Sequence, residues 1–199
     1  CMLSSRKSID CSVWDFALYR AACPRGQGVP GYSRSIADGN PMKDLTIPNF
    51  GELLAEHIGK VSDAGRPYML SQLERTAAAR YRVWAEDVPD HREGLLACAQ
   101  REDEIADRVE ALLPPSAADR EQVLQLIPAA KATYYQVFEG LTPVQQMTIQ
   151  AKAERQGAGA WQSMKAAYPE LSDEMDALSS IELQSADYLD DLLEALSQQ

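Results

Sequence analysis

The chain has 199 residues, 45% of them hydrophobic, and carries a formal net charge of -11 at pH 7. That length supports one sizeable core, and the acidity argues against partners built on phosphate backbones. No segment approaches the run of about 18 apolar residues that a membrane-spanning helix needs, so we expect neither a nucleic-acid partner nor a membrane partner.

The first 41 residues differ from the rest in composition. They are rich in Ser, Gly, Arg and Pro and show no sustained hydrophobic period. We therefore predict that residues 1–41 are poorly ordered and that residues 42–199 form the folded domain. Three of the four cysteines lie in residues 1–41, and Cys98 is the one cysteine in the predicted domain. A lone cysteine builds no disulfide framework and fits a reducing compartment, so we expect a cytoplasmic protein.

From residue 42 onward the hydrophobic period is helical, and the commonest residues favour helix over strand. No alternating β-branched run bounded by turns interrupts it, so the sequence predicts no strand. In the first half we expect a short helix after Ile47-Pro48, a turn at Pro89, and a break at Pro114-Pro115. The helices predicted there are residues 48–59, 67–87 and 91–112.

The second half repeats this order 80 residues later without a gap. Glu74 aligns with Glu154, and Pro89 aligns with Pro169. We interpret the pattern as an internal repeat, because helices, turn and glutamates all recur in one register. The repeat units are residues 47–113 and 127–193, and the helices predicted in the second unit are residues 128–139, 143–167 and 171–196.

Each long helix carries one glutamate in the middle of its apolar stripe. Spacing of three and four residues places it between hydrophobic neighbours that face the core. These glutamates are Glu74, Glu102, Glu154 and Glu182. An ionised carboxylate in a packed core costs several kcal/mol unless it is paired or bound to a metal. Four converging glutamates therefore predict a bound cation, arginines that reach into the bundle, or carboxyl groups that keep their protons.

Long helices on short turns pack antiparallel, and two such hairpins make a four-helix bundle. The layout resembles the ferritin-like superfamily, rubrerythrin relatives included, in which two helices each give one Glu and the other two each give Glu-x-x-His. The resemblance covers residues 65–196. It implies an all-α, antiparallel four-helix bundle of two repeated helical hairpins with short extra helices. Glu74 and Glu154 match the lone glutamates, and Glu102 and Glu182 match the glutamates of the Glu-x-x-His motif.

The histidine positions of that motif hold Ile105 and Ser185, and the two histidines of the chain, His57 and His91, lie elsewhere. The resemblance implies a carboxylate-bridged di-metal centre of iron or manganese at the four glutamates, with oxidoreductase ancestry. The alternative is a metal-free helical bundle that acts as an interaction or small-ligand-binding module. The sequence names no substrate or reaction, and a homodimer stays open.

Two aromatic residues, Tyr81 and Trp161, lie two turns beyond Glu74 and Glu154. We expect them to be core aromatics, which is the usual role of such residues, although they are also placed to neighbour a metal. Gly157 and Gly159 have no phosphate-loop spacing, so we expect both to permit close approach between helices.

Overall fold

The computed structural model describes residues 45–198, and the expectation that residues 1–41 are poorly ordered lies outside them. Six α-helices and two short 3₁₀ helices make up most of this part of the chain, and no strand occurs between residues 45 and 198. The predicted all-α class is therefore confirmed. The helices are α1 (Phe50–Ile58), α2 (Arg66–Asp87), α3 (Arg92–Leu112), α4 (Ala117–Gln136), α5 (Pro143–Met164) and α6 (Ser172–Ser197).

Two helical hairpins form the frame of the fold, one of α2 and α3 and the other of α5 and α6. In each, a three-residue 3₁₀ helix that begins with proline reverses the chain, Pro89–His91 in the first and Pro169–Leu171 in the second. The preceding residues have nearly the same conformation, with φ -125° and ψ 71° at Val88 and φ -131° and ψ 64° at Tyr168. Proline suits the first position of such a turn because its φ is fixed and it needs no donor there.

Corresponding arginines tie the two helices of each hairpin together. Arg75 Nη2 lies 2.8 Å from Asp107 Oδ1, and Arg155 Nη2 lies 3.1 Å from Asp187 Oδ1. Each arginine has a further acidic partner three residues beyond the first one. The two ion-pair networks therefore occupy positions 80 residues apart, as the glutamates do.

The hairpins meet where α3 packs against α6, and α1 and α4 pack together beside α2 and α5. Hydrogen bonds fix the position of α1. The amide of Gln156 in α5 donates to the carbonyl oxygen of Pro48 at 2.9 Å, and its Oε1 accepts from the backbone N–H of Phe50 at 2.8 Å. His57 Nε2 lies 2.9 Å from Thr133 Oγ1 in α4. The short first helix is thereby held over the α5 side of the bundle.

The fourth helix begins earlier than the sequence predicted. It starts after Ser116, whose hydroxyl accepts a hydrogen bond from Asp119 N at 3.1 Å, and continues through Pro128. The prediction of a separate helix starting at residue 128 was wrong, because Pro128 faces solvent while a buried stripe continues past it. That stripe consists of Val123, Ile127, Ala130 and Tyr134.

Large side chains fill the core around the glutamates. Tyr81, Trp84 and Trp161 are fully buried, and the guanidinium carbon of Arg80 lies 3.7 Å from the ring centroid of Phe138. Water is largely excluded from such surroundings, so charges and hydrogen bonds there have large energetic effects. None of the helices within residues 45–198 is long and apolar enough to cross a membrane.

Candidate metal centre

Each long helix of the two hairpins places one glutamate in the interior. Glu102, Glu154 and Glu182 are 0%, 3% and 1% exposed, and Glu74 is half-buried. The helical period accounts for this, because each glutamate continues the buried stripe of its own helix. Glu74 lies at the edge of the α2 stripe beside the buried Leu73, which explains its partial exposure.

Three of the four glutamates converge, and we call them the tri-glutamate cluster. Glu74, Glu102 and Glu182 each offer a carboxylate oxygen within 4.8 Å of those of the other two. The structure does not bring Glu154 into this group. Oxygen ligands of one hard cation lie about 2.0–2.6 Å from the ion, so they must lie within roughly 5 Å of one another. The tri-glutamate cluster has that spacing.

Glu102 is the most deeply buried member of the tri-glutamate cluster. Its Oε1 accepts a hydrogen bond from Ser185 Oγ at 3.1 Å. Its Oε2 is buried and has no hydrogen-bond partner among residues 45–198. A buried oxygen without a partner costs about 1–3 kcal/mol, and more when it is charged. A cation in the cluster would supply the missing partner.

Glu182 is oriented by α5. Trp161 Nε1 donates a hydrogen bond to Glu182 Oε1 at 2.8 Å. A Cβ atom at Gly157, one helical turn before the tryptophan, would lie 2.7 Å from the same oxygen. Gly157 therefore leaves room for the carboxylate. The expectation of a close approach at Gly159 was wrong, because Gly159 is exposed and a Cβ there would meet nothing within 4 Å.

Glu154 has protein partners of its own. Its Oε1 accepts hydrogen bonds from Tyr81 OH at 2.7 Å and from Gln150 Nε2 at 2.6 Å. Gln150 Oε1 in turn accepts from Tyr134 OH at 2.8 Å. These donors come from α2, α4 and α5 itself, so the fold holds Glu154 in place without a metal.

Burial raises the pKa of all three members of the tri-glutamate cluster. The pKa of Glu74 rises from 4.5 to about 8, first because of desolvation and then because of the negative charge of Glu154. The pKa values of Glu102 and Glu182 are raised well above the ordinary value by desolvation, and the charges of neighbouring glutamates raise them further. Without a cation the cluster therefore keeps protons near neutral pH, and a bound cation would displace them.

Arginines do not neutralise the cluster. The ion pairs formed within the described part of the chain include none of the four glutamates. Arg101 lowers the pKa of Glu102 through its charge alone, and this effect is smaller than the raising effect of burial. The sequence predicted three ways to accommodate the buried glutamates. Pairing with arginine is not found among the described residues, so a bound cation and protonated carboxyl groups remain.

The residues at the two histidine positions supply no nitrogen ligand. Ile105 is fully buried in an apolar cluster with Val109 and Leu178, and Ser185 donates its hydroxyl to Glu102. The available donors are therefore all oxygen. Such a set suits hard ions, of which manganese is one, better than ions that prefer imidazole or thiolate. The unpartnered Glu102 Oε2 and the oxygen-only donor set are both compatible with a hard cation.

A cleft of about 640 Å³ leads to the cluster. Glu74, Glu154 and Glu182 line it, whereas Glu102 is not among its lining residues. The cluster is thus approached from the side of α1, α2 and α5, with Glu102 on the far side of it.

The sequence did not identify the hydrogen-bond donors of the site. Gln150 lies four residues before Glu154 on the same helical face, and that spacing is a signal that could have found it. Tyr81 and Trp161 are buried as expected, and each also donates to a glutamate. The partner of each aromatic depends on how the helices pack, so the spacing of the sequence alone did not indicate it.

Comparison with known proteins places the chain in no family. No protein-family model, no curated protein and no solved structure matches it. The ferritin-like resemblance and the metal assignment of the four glutamates therefore stay predictions. The geometry described above is the basis for a functional interpretation.

Proposed function

We propose that this protein is a ferritin-like helical bundle that binds one hard metal ion, manganese or iron, through the tri-glutamate cluster. The observation that carries the proposal is the Oε2 atom of Glu102, which is buried and has no hydrogen-bond partner among the described residues. Glu102 also has a carboxylate oxygen within 4.8 Å of carboxylate oxygens of Glu74 and Glu182. The raised pKa values of Glu74, Glu102 and Glu182 indicate that ionised carboxylates are destabilised in the cluster when no cation is bound.

The geometry favours one ion over the pair that the resemblance implies. The oxygens that lie within 4.8 Å of one another come from Glu74, Glu102 and Glu182, which is a ligand set for one ion. Glu154 lies outside that set, and its Oε1 already accepts hydrogen bonds from Tyr81 and Gln150. We therefore propose a stoichiometry of one ion per chain. Bound iron or manganese would supply one-electron redox chemistry, which fits the oxidoreductase ancestry that the resemblance implies.

A manganese titration tests this proposal. Free Mn²⁺ gives a six-line electron paramagnetic resonance signal that is lost on binding, so the bound fraction can be counted directly. We expect saturation near one ion per chain for the wild type. Glu102→Gln keeps the shape of the side chain and removes a ligand, so it should weaken binding at least tenfold. The matched control is Glu104→Gln, an exposed position on the same helix, which should bind as the wild type does.

Two results would overturn the metal proposal. One is the absence of saturable binding in the wild type. The other is equal affinity in wild type, Glu102→Gln and Glu104→Gln, because surface carboxylates would then account for the bound ions. The second candidate function, a metal-free module that binds a small ligand, is favoured by the cleft beside the cluster.

We also propose a cytoplasmic location. The support is Cys98, which is a free thiol and the one cysteine among the described residues. Burial raises the pKa of this thiol to about 12, so it has little thiolate character and suits a packing role. The absence of nucleic-acid and membrane partners and the homodimer stay predictions.

A further inference from the structure

The walls of the cleft are apolar. Residues of α1, α2 and α5 enclose a volume of about 640 Å³, which falls in the range of about 300–1,000 Å³ that small-molecule sites occupy. Burying the body of an apolar molecule there would be favourable, because it removes apolar surface from water. The aliphatic lining residues include Leu54, Ile58, Leu70, Leu73, Ala77 and Ala153.

The floor of the cleft is polar and acidic. Glu74, Glu154 and Glu182 line it, together with Gln150. Glu74 is half-buried, and no residue of the 45–198 range donates a hydrogen bond to its carboxyl group. Because most of the lining is apolar, one hydrogen-bonding group on a ligand would satisfy Glu74 better than scattered water does.

The lining of the cleft selects against anions. No lysine or arginine is among the lining residues. An anionic head group buried there would lose its hydration and find no cation to pair with.

We propose that the cleft binds an uncharged, largely apolar small molecule whose single hydrogen-bonding group meets the glutamates of the floor. The apolar body lies between α1, α2 and α5, and its polar end lies against Glu74. This site does not rest on the metal proposal, because its apolar lining and its lack of lysine and arginine do not depend on a bound cation.

The test uses N-phenyl-1-naphthylamine, an uncharged apolar dye whose fluorescence rises in apolar sites. The full chain should bind one dye molecule saturably. Decanol and decanoate, each below its micelle concentration, then compete for the site. Decanol should displace the dye, and decanoate should be at least tenfold weaker because its carboxylate would lose its hydration and meet no cationic side chain in the cleft. No saturable dye binding, or equal displacement by the two competitors, would overturn the proposal.

A pair of variants locates the dye. Ala153 is half-buried and lines the cleft, so Ala153→Trp should fill the cavity and lower dye affinity at least tenfold. The neighbouring Lys152 is exposed, and Lys152→Trp adds the same ring outside the cleft without changing affinity. Unchanged affinity in a folded Ala153→Trp protein would overturn the proposal. The competition experiment needs no variant, so it decides the matter if Ala153→Trp fails to fold.

The same dye separates this proposal from the metal proposal. Glu102 is not a lining residue, so Glu102→Gln should lose Mn²⁺ affinity and keep dye affinity within about twofold. Dye binding without Mn²⁺ binding would leave the cleft proposal intact and reject the metal proposal. Mn²⁺ binding without dye binding would do the reverse.

Discussion

Replacing Gly157 with alanine tests how closely α5 approaches the cluster. The added Cβ would lie 2.7 Å from Glu182 Oε1 and 3.2 Å from Oε2, so the carboxylate would have to shift. Its hydrogen bond from Trp161 Nε1, now 2.8 Å long, would weaken or break. Loss of a buried hydrogen bond costs about 1–3 kcal/mol.

Helix propensity acts in the opposite direction, because replacing glycine with alanine inside a helix stabilises the helix by about 1 kcal/mol. Gly159→Ala measures that gain alone, since Gly159 is exposed on the same helix and its Cβ would meet nothing within 4 Å. Gly159→Ala should therefore stabilise the protein by up to about 1 kcal/mol. Gly157→Ala should be less stable than Gly159→Ala by about 1–3 kcal/mol.

Urea unfolding of the metal-free proteins, followed by circular dichroism, measures this difference. Mn²⁺ binding gives a second reading. A displaced Glu182 should weaken affinity about 10- to 100-fold in Gly157→Ala, while Gly159→Ala binds as the wild type does. Equal stability and equal affinity in the two variants would refute the idea that Gly157 makes room for a ligand carboxylate.

The remaining predictions concern pH and helix packing. In the metal-free protein the pKa of Glu74 is about 8 against an ordinary 4.5, so its contribution to stability is complete below pH 4.5 and is lost as the pH rises towards 8. Glu74 alone should account for about 2–3 kcal/mol of the fall in the free energy of unfolding between pH 5 and pH 7. Glu74→Gln should reduce the fall by that amount and the exposed Glu121→Gln should not change it, and three equal profiles would contradict the raised pKa. At Gly94 a Cβ would lie 2.1 Å from the Tyr188 ring, whose hydroxyl donates to the His91 carbonyl at 3.2 Å. Gly94→Ala should therefore destabilise the protein by about 1–3 kcal/mol, and an unchanged melting temperature would show that α3 and α6 tolerate the extra atom.

The hairpins were predictable because local rules determine them. The helical period, the proline turns and the repeat all act over a few residues, and the long helices begin within about one residue of the predicted positions. The start of α4 was not predictable by the same rules, because Pro128 is a local signal for a helix start. Burial of the stripe from Val123 to Tyr134 outweighs that signal. The stability that this burial provides depends on packing against α1 and α2, which local sequence does not show.

The candidate site shows the same division. That four glutamates lie on buried stripes followed from spacing. That Glu154 falls outside the group of glutamate oxygens within 4.8 Å of one another did not follow. It depends on the hydroxyl of Tyr81, which is 73 residues away in sequence, together with Gln150. The cleft also depends on α1, whose position is fixed by bonds between residues more than 70 positions apart.

Anomalous X-ray scattering from crystals soaked in Mn²⁺ tests the central claim most directly. We predict one strong peak per chain among Glu74, Glu102 and Glu182, within about 2.0–2.6 Å of an oxygen of each. We also predict that Glu154 keeps its hydrogen bonds to Tyr81 and Gln150. Peaks confined to surface carboxylates, or an empty cluster at saturating Mn²⁺, would contradict the account.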